Sequence, residues 1–579
     1  MLFFLTLNED LSVSFSPFQE RDKLDPQVIS YLSAPFPLAV IKGVLERLNR
    51  RGTFSFWGKE KTLKKLKSLV LYFLGDYHSD ISNLEWKEVN GCSAYADDQY
   101  NLDQGLENKA WKAFNQIVLG RQLSEGDLRR LARELALKDE EITMFAHDNV
   151  RQGKAQWVPS VQMYERGWQC QRCGEKEIEE WPSFYGMAAS CQSCMSIGAS
   201  TSLNVLYRDN RSLLEGPSKV LFQPHWILTE AQRLASEQVA DFIINKSEDR
   251  ALLWAACGAG KTEVCFPSAA WALKQGKSVL FAAPRQDVIH DIAPRLQRDF
   301  PDYPVQVLTG TSSVKFQEGG MVLATNHQIL RFWQAFDVIF MDEMDAFPYH
   351  GSRALEWGLN HALRPGGKLL YLTATPSLEG LKAVQKGDML LIRLPARHHR
   401  NPLPVPIWSK FANSLEPNRC TDIWVKQIES LKRKGPLLVF VPKISLIDPW
   451  IKCFKRGFPG WRIEGSYSAD SKRGLKIKNL QQGKYDLFVS TTILERGITL
   501  QGVQVVVLGA DHPIFDERAL VQMAGRVGRT RENPGGEVVF LSKEVTAAMK
   551  TAVQWIEEQN RRALELGLID PVDESREKP

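Results

Sequence analysis

Ala255-Ala256-Cys257-Gly258-Ala259-Gly260-Lys261-Thr262 decides how the rest of the chain reads. It follows the apolar run Ala251–Trp254 and leads into Glu263–Leu273, a stretch of helical character. Glycines let backbone N–H groups turn inward around an anion, and the N-terminus of a following helix adds a favourable dipole. In such a loop Gly258 and Gly260 supply the turn, Lys261 reaches the β- and γ-phosphates of a nucleotide, and the Thr262 hydroxyl ligates Mg²⁺. Ala255 stands where the general pattern has its first glycine. A glycine-rich turn carrying a lysine also occurs by chance, so the reading needs a second element.

That element is Phe336-Asp337-Val338-Ile339-Phe340-Met341, an apolar strand ending in Asp342-Glu343-Met344-Asp345. Open α/β sheets bind ligands at the carboxyl ends of their strands, where this acidic pair lies. Asp342 is placed to hold Mg²⁺, and Glu343 to orient or deprotonate an attacking water. The same residues would satisfy a helix N-cap, but beside Lys261-Thr262 an NTPase is the stronger reading. Buried-strand runs alternate with helical stretches on either side: Val279–Ala283, Val322–Thr325, Val338–Met341 and Leu369–Thr373. A proline-rich segment, Leu394–Ile407, reads as a linker, after which Leu437–Val441, Leu487–Ser490 and Val505–Leu508 resume the alternation. Two tandem parallel-sheet α/β units are expected. The expected divisions are a first unit over 206–395, a linker over 396–408, a second unit over 409–570 and a polar tail over 571–579.

Residues 1–150 form a mixed N-terminal region of unknown role, with helical spacing over Ala34–Leu48 and Leu123–Leu137. Lys42 to Lys67 holds nine basic and two acidic residues, with Phe54, Phe56 and Trp57 interleaved. Basic plus aromatic residues can grip a single strand, although a solvated helix face is the somewhat better reading. Within 151–205, Cys170-x2-Cys173 and Cys191-x2-Cys194 form a C-x2-C-x17-C-x2-C pattern. Four thiolates without an open position suit a structural Zn²⁺, with a redox pair, chance or an iron–sulfur cluster as alternatives. The other cysteines, at 92, 257, 265, 420 and 453, show no ligand spacing.

The 579-residue chain carries 73 Lys and Arg against 68 Asp and Glu, a net charge of +5 that by itself selects no partner. No apolar run approaches the ~20 residues of a membrane span; Leu69–Leu74 is the length of a buried strand or half a helix. The start, Met1-Leu2-Phe3-Phe4-Leu5, lacks a basic signal-peptide region, so a cytoplasmic location is expected.

These motifs, in this order, resemble the superfamily 2 helicases. Leu228–Gln232 is similar to the upstream motif whose glutamine, here Gln232, reads adenine. Ala255–Thr262 is similar to motif I, and Ala283-Pro284-Arg285 to motif Ia, which contacts nucleic-acid backbone. Asp342–Asp345 corresponds to motif II, departing from the usual DEAD or DEAH, and Thr373-Ala374-Thr375 to the coupling motif III. Val489–Gly497, with Thr491 and Thr492, resembles motif V, and Gln522–Arg529 motif VI. The resemblance covers about 220–545 and implies two RecA-like lobes with ATP between them and a nucleic-acid strand across their top. In motif VI a guanidinium supplied across the interface stabilises the transferring phosphoryl; Gln522, Arg526 and Arg529 are the catalytic candidates with Lys261, Asp342 and Glu343. Arg526 and Arg529 are expected to share one helix face.

The N-terminal four-cysteine module, Asp345-Ala346-Phe347-Pro348-Tyr349 and Leu494-Glu495-Arg496-Gly497 are similar to the ComFA family of late-competence DNA-uptake ATPases. That implies a cytoplasmic ATPase stimulated by single-stranded DNA, using ATP, Mg²⁺ and Zn²⁺. It further implies action at the inner face of the membrane with the DNA-uptake channel and other competence proteins, with an oligomer open. Two alternatives are a primosomal replication-restart helicase, whose metal-binding cysteines lie in the second lobe, and an ATP-gated binding scaffold without translocation. In this chain only Cys420 and Cys453 lie in the second lobe, singly.

Overall fold

The computed structural model describes residues 1–570 apart from 21–22, 50–58, 76–83, 90–105, 215, 344–350, 411–421 and 493–499. Two all-parallel sheets form its larger part. The first runs Val305–Leu308, Met321–Thr325, Val279–Ala283, Phe336–Asp342, Leu363–Thr373, Arg250–Ala255, Leu390–Leu394 in spatial order. The second runs Ile407–Lys410, Val538–Ser542, Gln504–Leu508, Leu437–Phe440, Leu487–Ser490, Ile463–Ser466. Strands such as Val279–Ala283 and Gln504–Leu508 are buried at every position, because helices cover both faces of each sheet.

The two lobes share one apolar core, which includes Ala256, Cys257 and Phe281 on one side and Val521, Ala524 and Ile556 on the other. The final helix, Ala547–Glu565, crosses back to the first lobe, setting Trp555 edge-on to Trp254 at 6.3 Å. Glu263–Leu273, read as one helix, begins as a 3₁₀ turn over Glu263–Cys265 and becomes α-helical only at Phe266–Lys274. Pro267 explains the break: it has no N–H to give the preceding turn and suits the first positions of a helix.

The N-terminal region is a further folded unit. Leu2–Asn8 pairs antiparallel with Val13–Ser16 and Val28–Leu32, and Trp86–Glu88 extends the sheet. Phe3, Leu5 and Leu7, two residues apart, are fully buried, and Phe3 and Leu5 join the core under the helices. Leu123–Leu137 divides into a strand, Gln122–Ser124, and a helix, Glu125–Glu134, that starts on a capping box between Ser124 and Asp127. The strand Val205–Asp209 pairs with Gln122–Ser124 and with Ala155–Pro159, and the expected division at 205/206 falls inside it. Of the basic stretch, Lys42 lies over Phe15 and Arg47 over Tyr72 at 4.0 Å, while Lys61 and Lys64 face solvent on the helix Lys59–Leu74. Phe54, Phe56 and Trp57 lie outside the described residues, as do Asp345–Tyr349, Leu494–Gly497, Cys92, Cys420 and the tail.

Candidate functional site

Parallel register brings the first lobe's motifs to one edge. Trp254 stands opposite Thr373, and Asp342 opposite Leu372, so the phosphate loop, the acidic pair and Thr373–Thr375 leave the sheet at the same level. Lys261 Nζ pairs with Asp342 Oδ1 at 2.8 Å, and Thr262 Oγ1 lies 3.4 Å from Asp342 Oδ2. A hydroxyl and a carboxylate oxygen side by side are the hard donors Mg²⁺ takes, so the residues present fit that ion. Burial pushes the Asp342 carboxyl up from its ordinary value, against the pull of Lys261. Glu343 follows at φ 53°, in the left-handed region. Successive residues of a strand point to opposite faces; this turn instead lets both Asp342 and Glu343 line the cleft.

The second lobe closes that cleft, whose volume is about 860 Å³, with Gln522, Arg526, Arg529, Arg531 and Glu532. The helix Glu517–Ala524 is N-capped by Asp516, which accepts from the Ala519 N–H at 2.8 Å. It ends before the arginines, which therefore do not ride one helix face as expected. They lie in the turns that follow, where Gly528 takes φ 65°. Both nevertheless reach the cleft. Arg529 donates from Nε to its own Gly525 carbonyl at 2.7 Å, and a Cβ built on Gly258 would lie 3.5 Å from Arg529 Cγ. Gln522 Nε2 stands 3.5 Å from Thr375 Oγ1, joining motif VI to motif III across the lobes.

Gln232 lies at the other end of the cleft. Its Oε1 accepts from the Thr229 N–H at 3.0 Å and its Nε2 donates to the Ala259 carbonyl at 2.9 Å, tying the helix Glu230–Ile244 to the phosphate loop. Trp226 and Ile227, 65% and 98% exposed, line the same end. Sequence reasoning missed this apolar pair, although its position just ahead of Thr229-x-x-Gln232 was the available signal. It also missed Glu263, Asp291 and Arg295, which form an ion-paired wall of the cleft, and His398.

Pro284 and Arg285 follow the strand Val279–Ala283, and Thr491 and Thr492 follow Leu487–Ser490, each at a carboxyl edge of its own lobe. Near them Arg473 of the second lobe reaches Asp287 of the first at 2.7 Å, an ion pair across the lobes.

The four cysteines converge. All are buried with sulfurs within 4.8 Å of one another, and the separations are 3.5 Å for Cys173–Cys191, 3.8 Å for Cys170–Cys194 and 3.9 Å for Cys191–Cys194. A tetrahedral site with Zn–S of about 2.3 Å has sulfur–sulfur edges of about 3.8 Å, so the cluster is compatible with zinc. The first knuckle turns at Gly174, φ 73°, where a Cβ would lie 2.7 Å from Trp357 Cγ. Trp357 belongs to the helix Arg353–Ala362 of the first lobe and stacks on His361 at 3.9 Å. The cysteines share an apolar core with Leu330, Leu355 and Leu359, so the module is seated on the lobe rather than beside it.

Two family models match: "Type III restriction enzyme, res subunit" over 226–378, and "Helicase conserved C-terminal domain" over 421–531. Competence protein ComFA of Bacillus subtilis (strain 168) is 34% identical over 448 residues, 76% of this chain and 95% of that protein. The chain belongs to the ComFA family. The ComFA of Streptococcus pneumoniae (strain ATCC BAA-255 / R6) is 32% identical, covering 78% of this chain and 99% of its own length. Among solved structures, that of S. cerevisiae Dbp5 bound to RNA and ADP BeF3 is 15% identical, covering 59% of this chain and 90% of that one with a TM-score of 0.42. This ComFA chain is thus a competence-related, helicase-like ATPase of superfamily 2, built on two RecA-like lobes and carrying a four-cysteine cluster. Among the described residues no helix is long and apolar enough to cross a membrane.

Proposed function

We propose that the chain is an ATP-driven motor that draws single-stranded DNA through its lobes during uptake of transforming DNA. The observation that carries this reading is the shared cleft: Lys261, Thr262, Asp342 and Glu343 enter it from one lobe, Gln522, Arg526 and Arg529 from the other. A nucleotide held between them couples its own hydrolysis to lobe separation, because its phosphates are bound from both sides. Lys261 exchanges its Asp342 partner for the β- and γ-phosphates, and Glu343 takes a proton from the attacking water. Arg526 and Arg529 neutralise charge gathering on the transferring phosphoryl. Thr262 and Asp342 would hold Mg²⁺, which would supply charge neutralisation on the phosphates. Gln232, with Trp226 and Ile227, sits at the base end. Thr373 and Thr375 relay closure through Gln522, and Pro284, Arg285, Thr491 and Thr492 line the strand track. Cys170, Cys173, Cys191 and Cys194 would hold a structural Zn²⁺.

The competence name of the relatives supports an inner-face location and a channel partner. The test is ATPase activity of the full chain with single-stranded DNA, duplex DNA and RNA at matched salt, since phosphate contacts make affinity steeply salt-dependent. Strong, preferential stimulation by single-stranded DNA is expected. An equal response to RNA would favour a general helicase, and no stimulation an ATP-gated scaffold.

A further inference from the structure

Arg397 lies in the proline-rich segment joining the lobes, between Leu390–Leu394 and Ile407–Lys410, yet only 1% of it is exposed. Its guanidinium spans the seam. Nε donates to the carbonyl of Cys257, in the phosphate loop, at 2.7 Å. Nη1 donates to the carbonyls of Val527 and Gly528 at 2.6 Å each, and Nη2 to that of Gly525 at 3.1 Å. These last three follow the helix Glu517–Ala524, whose terminal carbonyls lack intrahelical donors and favour a cation. His399 adds a bond from Nε2 to Gly528 O at 2.8 Å. The lobes meet closely here: a Cβ on Gly525 would stand 2.8 Å from Cys257 Sγ. Gly525 O also receives Arg529 Nε, so Arg397 and Arg529 share an acceptor.

We infer that Arg397 is a positioning residue for ATP hydrolysis, a planar clamp that sets the backbone bearing Arg526 and Arg529 in register with the phosphate loop. The inference rests on the proposed assignment of hydrolysis to this cleft. A rigid fork fixes the separation of the carbonyls it bridges. Misplacement of a catalytic group by about 1 Å can cost up to 100-fold in rate. Lysine retains the charge and loses the fork.

The experiment measures kcat and KM of the full chain with saturating single-stranded DNA, together with Tm and nucleotide binding, for Lys261→Ala, Arg397→Lys, Arg397→Met, Arg526→Ala and Arg397→Lys/Arg526→Ala. Lys261→Ala must be inactive; if it turns over, the site reading fails whatever Arg397 does. With that control in place, Arg397→Lys is expected to lose about 10- to 100-fold in kcat, with KM within about twofold and folding retained. On the Arg526→Ala background the same change should cost less than it does alone, because part of the clamp's effect acts through Arg526. A purely structural arginine would lower Tm and leave kcat per folded molecule alone. Wild-type kcat in a folded Arg397→Lys, or additive losses in the double variant, overturns the inference. So does a Lys variant that melts below the assay temperature, which would assign Arg397 to folding alone; Arg397→Met, if folded, should be slower still.

Discussion

Glu343 shows how a single backbone angle organises a site. A non-glycine residue at φ 53° carries strain on the order of 1 kcal/mol, tolerated where the surrounding structure fixes it. Here the Glu343 N–H is bonded to the Leu372 carbonyl at 2.9 Å, so the strand pairing holds the turn. Glu343→Gln keeps the shape of the side chain while removing the carboxylate proposed as base. It should retain ATP binding and lose about 100-fold or more in kcat, read by equilibrium binding beside phosphate release. Near-normal turnover would remove Glu343 from its role. His147 makes a prediction about stability instead. It is 6% exposed, and burial, with Arg151 adding to it, pulls its pKa from 6.5 to about 4. The folded state therefore refuses a proton that the unfolded chain accepts below about pH 6.5. This contribution is full above that pH and is lost as pH falls through about 4, reaching about 2 kcal/mol by pH 5. Urea unfolding at pH 7 and 5 should show a smaller difference for His147→Phe; equal differences would refute the assignment.

At the scale of elements, what the sequence disclosed followed from how directly physics writes itself along the chain. Strands buried on both faces appear as continuous apolar runs, and the phosphate loop and Cys-x2-Cys knuckles each place their groups within a few consecutive residues. The N-terminal sheet left no such trace: Ser30 pairs with Glu88, and helices cover its inner face, so its pairing is written only in distant contacts. Arg397 reads as linker because its acceptors are the backbone carbonyls of residues 257, 525, 527 and 528, which have no sequence signature. The helix expected to carry both Arg526 and Arg529 stops at Ala524, and the chain turns at Gly528, φ 65°, instead of continuing it. The four-cysteine cluster is legible in its spacing, not in its seat. Because Cys170 and Cys191 belong to the same core as Leu355 and Leu359, metal binding there would be coupled to folding of the first lobe. Cys170→Ser should lower bound zinc below one per chain and lower the melting temperature of the lobe, not of a separate small domain. One zinc per chain with wild-type melting would exclude the four-cysteine site.

Across the whole molecule, buried arginines occupy the joints. Arg208 donates to the Gln122 side chain at 2.6 Å and to the knuckle carbonyl of Gln171, and lies 3.7 Å over Trp333. It thus ties N-terminal unit, cysteine module and first lobe together, as Arg397 ties lobe to lobe. Arg121 is the third, 0% exposed, with its guanidinium bonded to the carbonyls of Ile117, Lys315 and Gln317 and to Gln306 Oε1. It sits between Phe332 and Phe316, at 5.1 and 5.6 Å. Arginine suits these places because a planar fork satisfies several carbonyls that two packed units would otherwise leave unbonded, and its weak hydration makes burial less costly than for lysine. The arrangement makes the N-terminal unit a rigid extension of the first lobe instead of a tethered module. Arg121→Met keeps most of the volume and removes every donor, taking that donor from Ile117 O, Gln317 O and Gln306 Oε1, while Lys315 O keeps its bond from Gln306 Nε2. The expected cost is about 3 kcal/mol, concentrated at the joint. Calorimetry should then show the N-terminal unit melting ahead of the lobes, with protease cutting first between Ile117 and Ser124, while zinc content stays at the wild-type value. A variant that melts in one unshifted transition would show that apolar packing alone, through Leu123, Phe316 and Tyr207, holds the unit in place.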